Sequence, residues 1–162
     1  MPLIRNGAEA ADEYAAVADD APLPGGAVVV SLTRLRRDRD VLFARNTALG
    51  VRLKSDESPE ALGSDLERLS LVVLEFPRFR DGRPFSWARM LRTRLRFKGE
   101  IRAAGDFLYD QIAFLARTGF DAFALPPGIT PEMFRRALAE MPLVYQPGAD
   151  GRKTIREMRT TP

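Results

Sequence analysis

The chain has 162 residues, a net charge of +3, and neither Cys nor His. That length suits one domain, which can bury roughly two-thirds of its unfolded surface without a disulfide or metal. The missing side chains exclude thiol nucleophiles, disulfides, the usual zinc sites, Cys-ligated iron–sulfur clusters, Cys or His haem ligation and a Ser–His–Asp triad.

Titratable chemistry is left to carboxylates, Lys, Arg and Tyr, and a metal, if used, would be Mg²⁺ held by carboxylates. Lys54, Lys98 and Lys153 are the only lysines, so the positive charge is nearly all arginine. Acids interleave with those arginines in most segments, which argues against a nucleic-acid surface. Residues 1–14 carry acids and no apolar core, unlike a signal peptide, and there is no apolar run long enough for a membrane span. The expectation is a cytoplasmic protein with no membrane contact.

Residues 1–26 read as an irregular N-terminal segment, with one possible strand over 3–7 ending in an Asn-Gly turn. The run PLPGG at 22–26 is a breaker. Residues 27–32 (AVVVSL) form a buried strand, 33–46 a helix and 49–53 a short strand. Ser58-Pro59-Glu60 starts a helix running to about Leu69: Ser caps, Pro suits the first turn, and the acid faces the positive helix end. Residues 71–76 (LVVLEF) are apolar without alternation, as in a strand covered on both faces.

A helix over 84–96 turns Trp87, Ala88, Leu91 and Leu95 inward and Arg89, Arg92 and Arg96 outward. Residues 99–104 (GEIRAA) are a more polar strand. Asp106 opens the next helix, which Arg117 and Gly119 close. Residues 120–125 (FDAFAL) are a strand, and Thr130-Pro131-Glu132 starts a helix to about Met141. The α/β domain thus spans 27–142, followed by a polar tail over 143–162, read as loose or an edge hairpin. About five consecutive strand–helix units imply a mostly parallel α/β sheet. The preferred architecture is an open doubly wound sheet; the alternative is a partial or half (β/α) barrel that needs a partner to close it.

Ligands of such folds bind beyond the carboxyl ends of the strands. The loop after residues 71–76 is long and rich in arginine: Pro77-Arg78-Phe79-Arg80-Asp81-Gly82-Arg83. Arg78, Arg83 and Arg102 are the candidate anion clamp, because guanidinium forks match planar oxyanions. Ser86 and the amides of its helix are candidate additional donors. Glu75, Asp81 and Asp106 are the candidate acid/base carboxylates, although Asp106 and Ser86 also read as helix caps, Asp81-Gly82 as a turn, and Glu75–Arg102 as a structural pair. The aromatics Phe76, Phe79, Phe85, Trp87 and Phe97 surround the loop and read as core or as a partner-binding surface. No two glycines are spaced as a dinucleotide fingerprint requires, and no P-loop is present.

The strings LEFPRFRDGRPFSWARMLRTR and GEIRAAGDFLYDQIAFLARTGFDAFAL, together with PGGAVVVSL, ALGVRL and YQPGAD, resemble the bacterial domain of unknown function 934 family. Its signature falls here at Phe76, Pro77, Phe79, Asp81, Gly82, Arg83, Ser86, Arg89, Gly99, Glu100, Arg102, Gly105, Asp106, Asp110, Gln111, Gly119, Phe120, Asp121 and Phe123. Family members often carry Cys where this chain has Thr118, so a thiol there is not essential. The resemblance implies an oxidoreductase role linked to assimilatory sulfite or nitrite reduction. Six-electron sulfite reduction needs redox centres, and this chain has no Cys or His to ligate haem, iron–sulfur or zinc centres. The expectation is therefore an accessory protein that binds an oxyanion or the sulfite/nitrite reductase through the arginine-rich loop. The rivals are a small enzyme with a carboxylate acid/base and an arginine clamp, and a non-catalytic homodimerising module.

Overall fold

The computed structural model describes residues 1–140, 147–149, 151 and 153–160. Among these, β1 (Leu3–Arg5), β2 (Ala8–Ala10), β3 (Ala15–Ala16), β4 (Val28–Ser31), β5 (Leu49–Leu53), β6 (Leu71–Phe76), β7 (Glu100–Gly105) and β8 (Ala122–Ala124) form one sheet. Their order is β2-β1-β8-β7-β6-β5-β4-β3. Strands β3 to β8 pair in parallel, while β1 is antiparallel to both β2 and β8. The helices are α1 (Leu32–Arg37), α2 (Arg39–Ala44), α3 (Arg83–Thr93), α4 (Ile112–Thr118), α5 (Pro131–Ala139) and α6 (Ile155–Thr160). Residues Pro59–Arg68 and Tyr109–Gln111 are 3-10 segments.

The parallel strands follow one another across the sheet in chain order. A doubly wound sheet reverses that order at a switch point. No reversal occurs here, so the doubly wound expectation is corrected to the half-barrel. Right-handed crossovers that always advance in one direction place their helices on one face. The units themselves are uneven: two short helices follow β4, and a 3-10 segment follows β5.

The N-terminal segment shows how far the sheet curls. Strands β2 and β3 lie at opposite edges of the sheet, yet only residues 11–14 join them. Eight flat strands would hold their edges roughly 34 Å apart at ~4.8 Å per strand. The joining peptide reaches roughly 18 Å when fully extended. The sheet must therefore bow until its edges approach, with residues 11–14 as a strap across the concave side. The first 26 residues thus supply three strands and this strap, where an irregular segment with one possible strand was expected.

Side chains alternate between the two faces. Val30, Val51, Val72, Leu74, Phe76, Ile101, Ala103 and Phe123 join Leu35, Leu91, Ile112, Leu115 and Phe134 in the core on the helix-covered, convex face. Val29, Leu71 and Val73 point the other way and form a small second cluster with Tyr14 of the strap. Gly50 lies between them in the concave floor: a Cβ there would come within 3.0 Å of Val29 and 3.1 Å of Leu71.

Local chemistry sets the element boundaries. Asn6 and Gly7, both with positive φ, make the tight turn of the β1–β2 hairpin. The helix expected over 33–46 breaks at Asp38, whose φ of −106° and ψ of 23° are not helical. Ser58 does cap its segment, but Gly63 at φ 52°, ψ −132° kinks it, and it runs as 3-10 rather than α. Gly119 closes α4 in the left-handed conformation. The tail carries α6, which the polar composition did not suggest; the possible edge hairpin falls largely on residues outside those described.

Candidate functional site

The arginine-rich loop, residues 77–82, joins β6 to α3 and is held firmly at its base. The Asp106 carboxylate accepts the Phe79 amide at 3.3 Å, and the Gln111 side chain donates to the Phe79 carbonyl at 3.0 Å. The Asp106 amide donates to the Phe76 carbonyl at 2.8 Å. Asp106 therefore ties two strand–helix loops together. It does not cap the following helix, which begins only at Tyr109.

Arg83 does not face an open anion site. Its Nε and Nη2 grip the Asp81 carboxylate at 2.9 and 2.6 Å, and Nη2 also reaches Ser55 Oγ at 3.0 Å. The Arg83 guanidinium holds the Asp81 carboxyl far below the usual carboxylate range. Such a group is a poor general acid or base near neutrality. Ser86 is exposed, three residues beyond the first helical residue, while Gly82 is the N-cap. The reading of Ser86 as a cap is thus corrected.

Arg102 lies elsewhere. It alternates with Ile101 and Ala103 of the convex core and so points into the concavity. There Nε donates to Glu100 Oε1 at 2.8 Å and Nη1 to Asp12 Oδ2 of the strap at 2.9 Å. Glu100 also takes Arg5 Nε at 2.7 Å, and the Tyr14 ring lies 5.8 Å from the Arg102 guanidinium. Burial raises the Tyr14 phenol above its ordinary pKa. The anticipated Glu75–Arg102 pair is replaced by this Arg5–Glu100–Arg102–Asp12 chain. Arg83 and Arg102 sit on opposite faces of the sheet, each engaged by its own acids, so they form no common clamp.

Exposed Arg78, Phe79 and Arg80 make the tip of the loop. Arg80 lies 5.3 Å from the Phe79 ring. Neither arginine has an acidic partner among the described residues.

The concave face holds the second candidate site. A groove of about 570 Å³ opens between the strap and the carboxyl half of the sheet. Its charged side chains are Asp12, Arg52, Glu75 and Arg102, Met1 lies at its rim, and its apolar lining includes Leu3, Val29, Val73 and Ala104. Arg52 and Arg102 flank Val73 in register on either side, and Glu75 stands one step further up the same face of β6. Glu75 and Arg52 have no ion-pair or hydrogen-bond partner among the described residues. A further cleft of about 510 Å³ near Leu66, Leu95 and Gly99 lies at the amino ends of β6 and β7, away from the usual ligand end. Among the described residues no group of three or more carboxylates is placed to hold a metal ion, and no helix is long and apolar enough to cross a membrane.

Sequence reasoning singled out Glu75 and Arg102 but missed Arg52, Asp12 and Tyr14, which share their groove. One signal was available. Arg52 is the lone charge of LGVRL, Arg102 follows Glu100 by two in EIRAAG, and parity sets all three opposite the convex core. Arg92, expected on an outward stripe, instead donates to the carbonyls of Gly119, Phe97 and Gly99 and to Asp121. Thr118 is buried, and its hydroxyl donates to the Leu115 carbonyl at 2.9 Å.

No curated protein sequence matches the chain significantly. Residues 50–156 match a family described as "Bacterial protein of unknown function (DUF934)". That span takes in β5 from its second residue, β6 to β8, the arginine-rich loop, and Arg52, Glu75 and Arg102 of the groove. The chain belongs to this bacterial family of unknown function.

Proposed function

We propose that this protein is an accessory factor of assimilatory sulfite reduction that docks on an acidic surface of the reductase through the tip of its 77–82 loop. The pathway comes from the family resemblance; the docking mode comes from the geometry. The observation that carries it is Phe79, 38% exposed, set between two arginines that the described residues leave without acidic partners. Aromatic and Arg side chains supply most interface hot spots. The bonds from Asp106 and Gln111 fix the loop base, so little ordering entropy is lost on docking. This geometry favours a partner over a free oxyanion, because Asp81 already occupies the fork of Arg83.

The test is co-elution of the full chain with the sulfite reductase at low and high ionic strength. Binding is expected at low salt and should weaken as salt screens the contact. Combined Arg78→Glu and Arg80→Glu should weaken it at least about tenfold, with the melting temperature unchanged. Equal co-elution of wild type and variant would reject the docking assignment.

A further inference from the structure

We propose that the concave groove is a binding site for a small zwitterion. Arg52 takes its carboxylate, and Glu75 takes its ammonium group. The inference is independent of the docking reading, which concerns the tip of the 77–82 loop and none of the groove's side chains.

Arg52 supplies the positive charge: it is exposed in the groove wall, and no acid pairs with it among the described residues. Arg102 beside it is only 4% exposed and is held by Asp12 and Glu100, so it shapes the groove without offering a free donor.

Glu75 gives the opposite sign. It is half-buried in the same wall and has no cation of its own. Arg52 and Glu75 stand on neighbouring strands, β5 and β6, on the same face of the sheet. Within the groove and its ion chain, the side chains of Arg5, Arg52 and Arg102 match those of Asp12, Glu75 and Glu100 in number. A phosphate or sulfate would leave Glu75 facing an anion, and a polyamine would leave Arg52 facing a cation. A molecule carrying one charge of each sign satisfies both.

Size and shape agree. About 570 Å³ lies within the range of small-molecule sites. Val29, Val73 and Ala104 offer an apolar floor of small side chains, so an aliphatic body can lie between the charged ends. The location, at the carboxyl ends of parallel strands inside a curled sheet, is where (β/α) scaffolds place their ligands.

The experiment is an amide NMR titration of the full chain with the common L-amino acids, and with acetate and methylamine as half-ligands. At least one amino acid should shift and saturate the amides of Val73, Glu75, Ala104 and Gly105. Acetate and methylamine should bind at least about tenfold more weakly than that amino acid. Arg52→Ala and Glu75→Gln should each weaken it by a similar factor, while circular dichroism shows the fold intact. Absence of saturable shifts at these amides with every amino acid at millimolar concentration overturns the proposal. So does acetate binding as tightly as the amino acids with Glu75→Gln without effect, which would make the groove a plain anion site.

Discussion

The two faces of the sheet are built from the same strands but solve different problems. The convex face presents one apolar side chain after another to helices, and Phe76 at its centre touches Phe85, Phe107 and Phe120 at centroid distances of 5.3, 6.1 and 5.9 Å. The concave face gathers a small apolar cluster of Val29, Leu71 and Val73 near its base and then turns to charge at Arg52, Glu75 and Arg102. Stability is concentrated on the first face, and binding chemistry is available on the second. A four-residue strap replaces a helical layer there, which leaves the carboxyl half of the concavity open.

Mutation can break this contrast. Phe76→Ala should give the largest loss, about 3–5 kcal/mol in chemical denaturation, because a fully buried ring is removed from a close-packed cluster. The matched change on the concave face, Glu75→Gln, should leave stability nearly unchanged, since no partner is lost. If the two variants unfold at similar denaturant concentration, the division of labour between the faces is wrong.

Arg92→Ala comes next. Its guanidinium gathers the carbonyls of Phe97, Gly99 and Gly119 and meets Asp121 at 2.5 Å, and Asp121 in turn accepts the Ile101 amide at 2.8 Å. Burial raises the Asp121 carboxyl above the ordinary aspartate range. Removing the cation strands three carbonyls and a partly buried carboxylate, so a loss of about 2–3 kcal/mol is expected. The loss should be smaller in Asp121→Asn, Arg92→Ala than the two single losses added, because the residues share one network. Strict additivity in that cycle would show that they do not.

Much of the convex face was legible in the sequence. Residues 49–53 and 71–76 coincide with β5 and β6 because apolar runs between breakers have few other uses. Ser58, Thr130 and Gly119 stop or start elements as their chemistry dictates, since capping is a local interaction. The half-barrel was harder to read. Doubly wound sheets and half-barrels use the same buried parallel strands, and only the spatial order of those strands separates them. The strap was invisible because two-residue strands and a four-residue crossing have no period to detect. The clamp of Arg78, Arg83 and Arg102 came from proximity along the strand ends alone. Counting parity from Ile101 and Ala103 would have sent Arg102 to the opposite face, and Asp81 two residues before Arg83 was already a partner within reach.

That Asp81–Arg83 pair offers the smallest effect and the sharpest test of what the loop is for. The Arg83 guanidinium lowers the Asp81 carboxyl well below its ordinary value. A depressed carboxylate adds stability above the unfolded-state pKa, near ~4, and loses it as pH falls from there toward the folded value. Wild type should therefore melt slightly above Asp81→Asn at pH 6, and the gap should close below about pH 4. The gap should be small and shrink with salt, because Arg83 is 54% exposed. Asp81→Asn also releases the Arg83 fork. If that fork is an internal brace, sulfite or sulfate at millimolar concentration should leave the melting temperature of wild type unchanged and raise that of the variant. An equal rise in both proteins would mean that the wild-type loop already binds oxyanions, and the brace would have to be given up.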